Sequence, residues 1–86
     1  IMVAFQYTIT DEVGIHARPA GMLVKTAKEK SAVVTLKTAK GSADARKLMA
    51  IMALGVKQGD VVTVEVEGEN EAVVAKEMQT FFEENL

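Results

Sequence analysis

The 86-residue chain has little of several residue types on which common protein functions depend. It has no cysteine, which excludes disulfides, thiolate metal sites and thiol catalysis, and which agrees with a reducing compartment. It has no tryptophan, one tyrosine and three phenylalanines, which are too few for a platform on which nucleic-acid bases stack. The sequence therefore predicts neither thiol chemistry nor base stacking.

Charge and hydropathy exclude further classes of function. The formal net charge is −2, with acidic and basic residues mixed along the chain, so we expect no binding of nucleic acid and no attraction to an anionic membrane. The apolar runs are short and interrupted by charged residues, which predicts no signal peptide and no membrane insertion. We expect one soluble, cytoplasmic domain over residues 1–86, with a modest core and a function carried on its surface.

The spacing of apolar residues predicts an α+β fold. Alternation of apolar and polar residues predicts strands over 3–10, 32–37 and 62–67, and the turn at 39–41 leads into a short further strand. Helical spacing predicts helices over 17–30 and 47–54, and a last helix with Asn70 as N-cap. The predicted buried stripe of that last helix is Val74, Met78, Phe81 and Phe82. The order βαββαβα favours a four-stranded antiparallel sheet with three helices covering one face and the other face in water.

The segment Gly14-Ile15-His16-Ala17-Arg18-Pro19-Ala20 contains the only histidine and the only proline, at a predicted strand-to-helix junction. A histidine keeps a neutral, nucleophilic fraction near pH 7 because its ordinary pKa is about 6.5. Pro19 suits the first helical turn, where the N–H groups of Ala17 and Arg18 have no intrahelical acceptor and attract an anion. Arg18 adds a fork of donors that fits phosphate oxygens. The alternative is a capping or surface His16 beside a solvated Arg18.

The predicted helix over 47–54 has more apolar residues than one buried stripe can hold. Ile51 and Leu54 can face the core together. That leaves an exposed patch composed of Leu48, Met49 and Met52. We name this helix, the second of the three, α2, and the exposed patch the α2 patch. Such Met-rich surfaces suit a protein that binds several partners in turn. The alternative is that the whole helix is deeply seated.

The acidic residues near the predicted last strand are candidates for a metal site. They are Glu65, Glu67, Glu69 and Glu71. Strand alternation followed by a turn instead indicates an ordinary solvated face. We therefore predict no metal and no cofactor.

Three segments together resemble the HPr family, the histidine-containing phosphocarriers of the bacterial phosphoenolpyruvate:sugar phosphotransferase system (PTS). They are the His16 segment, the segment Leu48-Met49-Ala50-Ile51-Met52-Ala53-Leu54-Gly55-Val56, and Gln58-Gly59-Asp60. The resemblance runs from about Val3 to the last residue. It implies an open-faced β-sandwich that works as a phosphoryl carrier rather than as an enzyme with a substrate pocket.

The resemblance also implies roles for individual residues. His16 would accept a phosphoryl group on Nδ1 from phosphorylated enzyme I and pass it to the IIA domain (EIIA) of a sugar permease. Ala17 and Arg18 would hold the phosphoryl group, with Arg18 as the charge partner of His16. The α2 patch would dock the partners, and the carrier is expected to be a monomer.

Two positions depart from the family pattern. Members commonly have a short polar residue where Val13 stands. Many Gram-positive members have a regulatory serine, phosphorylated by a dedicated kinase, at the position of Lys47. Lysine has no hydroxyl to phosphorylate, so signalling to carbon catabolite repression by that route is not expected. A cation at Lys47 beside Arg46 would favour acidic partner surfaces.

Two other functions stay open on the sequence. One is a paralogous carrier of a nitrogen-type or dihydroxyacetone-kinase phosphorelay, with the same chemistry and other partners. The other is a non-catalytic regulatory adaptor. The histidine without the serine argues against the adaptor, because such adaptors work through the serine.

Overall fold

The computed structural model of the chain describes residues 2–12, 14–15 and 17–86. In these residues four strands and three helices follow the predicted order βαββαβα. The elements are β1 (Val3–Thr8), α1 (Ala17–Lys28), β2 (Ala32–Thr38), β3 (Gly41–Asp44), α2 (Leu48–Ala53), β4 (Val61–Gly68) and α3 (Glu71–Asn85). None of these helices is long and apolar enough to cross a membrane.

The four strands form one antiparallel sheet in the order β1-β4-β2-β3. The first strand therefore pairs with the last, and β4 lies between β1 and β2. Val64 of β4 is the register partner of Phe5 in β1 and of Leu36 in β2. Because all three side chains are on the same face, the sheet presents a continuous apolar surface to the helices.

The two faces of the sheet differ as the alternation predicts. Val62, Val64 and Val66 are fully buried, whereas Glu65 points to the other face and pairs with Lys37 across the sheet at 3.1 Å. No polar or charged side chain among residues 2–12, 14–15 and 17–86 is buried. The fold is thus an open-faced sandwich, with an apolar layer between sheet and helices and a polar face in water.

Phe82 of α3 is a centre of the core beneath β1. It is fully buried, and its ring makes edge-on contacts with Phe5, Tyr7 and Phe81 at centroid separations of 5.6–6.2 Å. Such contacts add about 0.5–1.5 kcal/mol per pair beyond the burial of area. Four of the chain's aromatic rings therefore fasten α3 to the edge strand β1.

The start of α3 corrects one detail of the sequence prediction. Asn70 is the N-cap, but its backbone is left-handed (φ 57°) and its side chain makes no capping hydrogen bond. The turn from β4 is tight, and Glu71 Oε2 instead accepts a hydrogen bond from the Gly68 N–H at 3.3 Å. The predicted cap position is confirmed, but a capping hydrogen bond from the Asn70 side chain is not formed with the backbone in this left-handed conformation.

Candidate functional site

The chain leading to residue 16 is anchored by its backbone. The Gly14 N–H donates to the Asp11 carbonyl at 3.1 Å, which closes a turn, and the Ile15 N–H donates to the Val56 carbonyl at 3.1 Å. Gly14 and Ile15 are both buried. Val13 and His16, the residues named for the phosphoryl site and its departure from the family, lie outside the described residues.

The chain following residue 16 begins α1 directly. Pro19 and Ala20 are buried and hold the first turn against the core, whereas Ala17 and Arg18 are exposed. At the start of a helix the N–H groups of Ala17 and Arg18 have no acceptor within the helix, and Pro19 has no N–H. The first turn contains no acidic residue. This helix end therefore presents a partial positive charge beside an exposed guanidinium.

Arg18 borders a small cleft that the sequence did not reveal. The cleft has a volume of about 320 Å³, is open to solvent, and is lined by Asp11, Arg18, Pro19, Met22 and Asn85. Met22 is 43% exposed and lies one helical turn after Arg18, on the same side of α1. The i, i+4 spacing of Arg18 and Met22 was the available signal for an exposed methionine beside the arginine.

The exposure of α2 follows the prediction. Leu48, Met49 and Met52 are 41%, 80% and 37% exposed, whereas Ile51 and Leu54 are buried. The predicted division of this helix between core and solvent is confirmed, and the alternative of a deeply seated helix is excluded. The helix that presents the α2 patch packs against α1, the helix whose first turn is exposed.

The turn before α2 has its own electrostatics. Arg46 holds the pKa of the Asp44 carboxyl below its ordinary value, chiefly through side-chain hydrogen bonds. The same hydrogen bonds raise the pKa of Arg46. The charge of Arg46 is thus compensated within the turn, which weakens the expectation that Arg46 joins Lys47 in attracting acidic partners.

The acidic residues near β4 do not form a metal site. Across residues 2–12, 14–15 and 17–86, no group of three or more His, Cys, Asp or Glu side chains is arranged to hold a metal ion. Glu65 is engaged by Lys37, and Glu71 by the backbone of Gly68.

The fold and the segments around position 16 match one family. The family model for the HPr component of the PTS, described as its phosphorylation site, matches residues 3–84. The chain belongs to the HPr family. Members of this family are phosphocarrier proteins of the PTS, and they carry a phosphoryl group rather than act as enzymes.

Individual members of the HPr family are similar along most of their length. The phosphocarrier protein HPr of Lysinibacillus sphaericus is 35% identical over 92% of this chain and 90% of its own. A crystal structure of HPr-C-His from Thermoanaerobacter tengcongensis has a TM-score of 0.88 and 33% identity, covering 94% of this chain and 91% of its own. A crystal structure of an HPr dimer from the same organism has a TM-score of 0.74 and 35% identity, covering 91% of this chain and 90% of its own.

Proposed function

We propose that this chain accepts a phosphoryl group on His16 from phosphorylated enzyme I and passes it to EIIA domains of sugar permeases. The observation that carries the proposal is the exposed, acid-free first turn of α1, which follows residue 16 directly and presents Arg18 with two N–H groups that have no acceptor within the helix. An anion at that turn meets hydrogen-bond donors, a guanidinium and the positive end of a twelve-residue helix.

The transfer requires few catalytic groups on the carrier itself. The lone pair of the His16 Nδ1 attacks phosphorus, and a P–N bond forms while the bond from phosphorus to the donor group of enzyme I breaks. A nucleophilic group of EIIA then attacks the same phosphorus, and the P–N bond to His16 breaks, which frees the imidazole again. Because the group moves between two proteins, catalysis consists of positioning and of stabilising charge on the phosphoryl oxygens. Ala17 N–H and Arg18 supply that stabilisation from this chain.

The α2 patch is the proposed docking surface for both partners. Its three side chains are apolar and exposed, and the helix that presents them packs against α1. Methionine side chains adapt their shape to different surfaces, which suits a carrier that must bind a donor and then an acceptor. Binding to each partner has to be weak enough to allow exchange.

We place the proposed carrier in the cytoplasm. We propose no signalling through phosphorylation of residue 47. Lys47 is the exposed N-cap residue of α2 and has no hydroxyl group. The proposed carrier is a monomer. Because one crystal structure of the Thermoanaerobacter protein is of a dimer, the oligomeric state of this chain should be measured by light scattering at the concentrations used for transfer.

Incubation with enzyme I, Mg²⁺ and phosphoenolpyruvate tests the proposal. Acid-labile phosphate should appear on the wild-type chain and be absent from His16→Ala, and the labelled chain should then transfer its phosphate to EIIA. An unlabelled wild type would contradict the carrier function. Labelling by enzyme I without transfer to any sugar-specific EIIA would favour the paralogous phosphorelay. Partner binding that ignores the phosphorylation state of His16 would favour the adaptor.

A further inference from the structure

Gly14 lies in backbone-to-backbone contact with the segment that follows α2. A Cβ at position 14 would overlap the carbonyl oxygen of Val56 and would lie 2.7 Å from the Cα of Lys57. The φ angle of Gly14 is +81°, in the region that favours glycine. Both the backbone angle and the close approach therefore require glycine here.

The Val56 carbonyl oxygen, which a Cβ at position 14 would overlap, also accepts a hydrogen bond from the residue after Gly14. Val56 O accepts the Ile15 N–H at 3.1 Å, and both Ile15 and Val56 are buried. Val56 is only two residues beyond Leu54, the C-cap of α2. The backbone immediately before residue 16 is thus fastened to the backbone immediately after the helix that presents the α2 patch.

We propose that Gly14 is a positioning residue, which holds the loop ending at His16 in register with the α2 patch through its contact with Val56. This inference rests on the proposed function and deepens it. The backbone that leads into residue 16 is then held at a fixed distance from a partner docked on α2. Displacing a reacting group by about 1 Å can slow a reaction about a hundredfold, so a small shift of this loop matters.

A positioning role for Gly14 affects kcat and KM differently. Gly14→Ala pushes the loop away from Val56 but leaves Leu48, Met49 and Met52 in place. With this chain as the substrate of enzyme I, we expect kcat to fall roughly tenfold to a hundredfold while KM stays within about twofold of the wild type. A variant that merely loosened the fold would also change KM, because it would disturb the docking helix.

Gly59→Ala is the matched control for backbone strain. Gly59 has a φ of +89°, close to that of Gly14, but a Cβ there meets no atom within 4 Å. The two variants therefore carry similar left-handed strain, and only Gly14→Ala adds the collision with Val56. We expect Gly59→Ala to keep kcat within about twofold of the wild type.

A second variant covers the case in which Gly14→Ala fails to fold. An ester in place of the Gly14–Ile15 amide removes the Ile15 N–H and adds no atom. Because the chain has no cysteine, a synthetic segment 1–16 can be ligated to residues 17–86 through a temporary cysteine at position 17, which desulfurisation converts back to the native alanine. We expect kcat to fall at least threefold at unchanged KM, against an all-amide chain made in the same way.

The outcomes distinguish the positioning role from the carrier function. A lowered kcat at constant KM in the ester variant, and in Gly14→Ala if it folds, supports the proposal. A wild-type kcat in the ester variant, or a loss that appears only in KM, overturns it. A wild-type chain that takes up no phosphate overturns the carrier function and the positioning role together.

Discussion

Asp44 and Arg46 are joined by three hydrogen bonds across the turn that leads into α2. The Asp44 Oδ1 accepts from the Arg46 backbone N–H at 2.9 Å and from Nε at 3.1 Å, and Oδ2 accepts from Nη2 at 2.9 Å. The Lys47 N–H donates to the Asp44 carbonyl at 3.0 Å. The Asp44 side chain and carbonyl thus hold the two residues that precede α2.

The Asp44 pair predicts a pH-dependent part of stability. The pKa of the Asp44 carboxyl is lower in the folded chain than in the unfolded chain. The ionised carboxylate therefore stabilises the fold at pH values above the ordinary carboxyl pKa of about 4. That contribution is lost as the pH falls through the lowered pKa. We expect Asp44→Asn to be less stable than the wild type at pH 7, with the difference shrinking below about pH 4.

Urea unfolding between pH 7 and pH 2 measures this difference. Glu83→Gln, which removes an exposed carboxylate near the end of α3, is the control and should follow the wild type at each pH. A stability loss in Asp44→Asn that persists undiminished at pH 2 would show that shape, rather than charge, is responsible.

Arg18 is predicted to act on the transfer rate. Hydrogen bonds to charged groups contribute about 1.5–3 kcal/mol, so Arg18→Ala should slow phosphoryl transfer from enzyme I roughly tenfold to a hundredfold. Arg18→Lys keeps the charge but loses the planar fork, and it should lose less. Single-turnover labelling measures the rate, with Lys76→Ala on α3 as the matched loss of an exposed cation. Equal rates in Arg18→Ala and Lys76→Ala would remove Arg18 from the phosphoryl site.

Met49 is predicted to act on docking. Its side chain is 80% exposed in the free protein, and burying a Met side chain contributes about 1.5–3 kcal/mol. Met49→Ala should therefore raise the KM of enzyme I for the chain by about tenfold and leave kcat and thermal stability nearly unchanged. Val73→Ala removes another exposed apolar side chain, 59% exposed, from α3 and serves as the control. If both variants raise KM alike, docking does not depend on the α2 patch.

Phe82 is predicted to act on stability. Its ring is fully buried among three other rings, so Phe82→Ala should lower the free energy of unfolding by about 3–5 kcal/mol, and Phe82→Leu by less. Denaturant titration measures both losses. Gln79→Ala, at an exposed position of the same helix, should stay within about 0.5 kcal/mol of the wild type. A loss below 1 kcal/mol in Phe82→Ala would mean that β1 and α3 are not held by this cluster.

Most of the secondary structure could be predicted from the sequence, because apolar residues recur with one spacing in helices and another in strands. The alternation of Val62, Val64 and Val66 identified β4, and the spacing of Ala20, Leu23 and Ala27 identified α1. Helix ends were less accurate. The helix predicted to reach residue 30 ends at Lys28, because the N–H groups of Glu29 and Lys30 donate to carbonyls three residues earlier, those of Thr26 and Ala27, in a tightened last turn.

The candidate site was only partly readable. The sequence identified the exposed first turn of α1 and separated the exposed and buried sides of α2, since both depend on residues that are neighbours along the chain. It did not identify the cleft beside Arg18, because that cleft needs Asp11 and Asn85 from segments far apart in sequence. Nor did it reveal why Gly14 is glycine, since the reason lies in Val56.

By itself, the sequence determined the kind and order of the elements, the side of each that is buried, and a helix start suited to an anion. These properties follow from the periods of helix and strand and from the chemistry of single residues. Only the tertiary structure decided the strand order β1-β4-β2-β3 and the contact of Gly14 with Val56. Such long-range pairings arise from the packing of the whole core, which no local pattern of residues specifies.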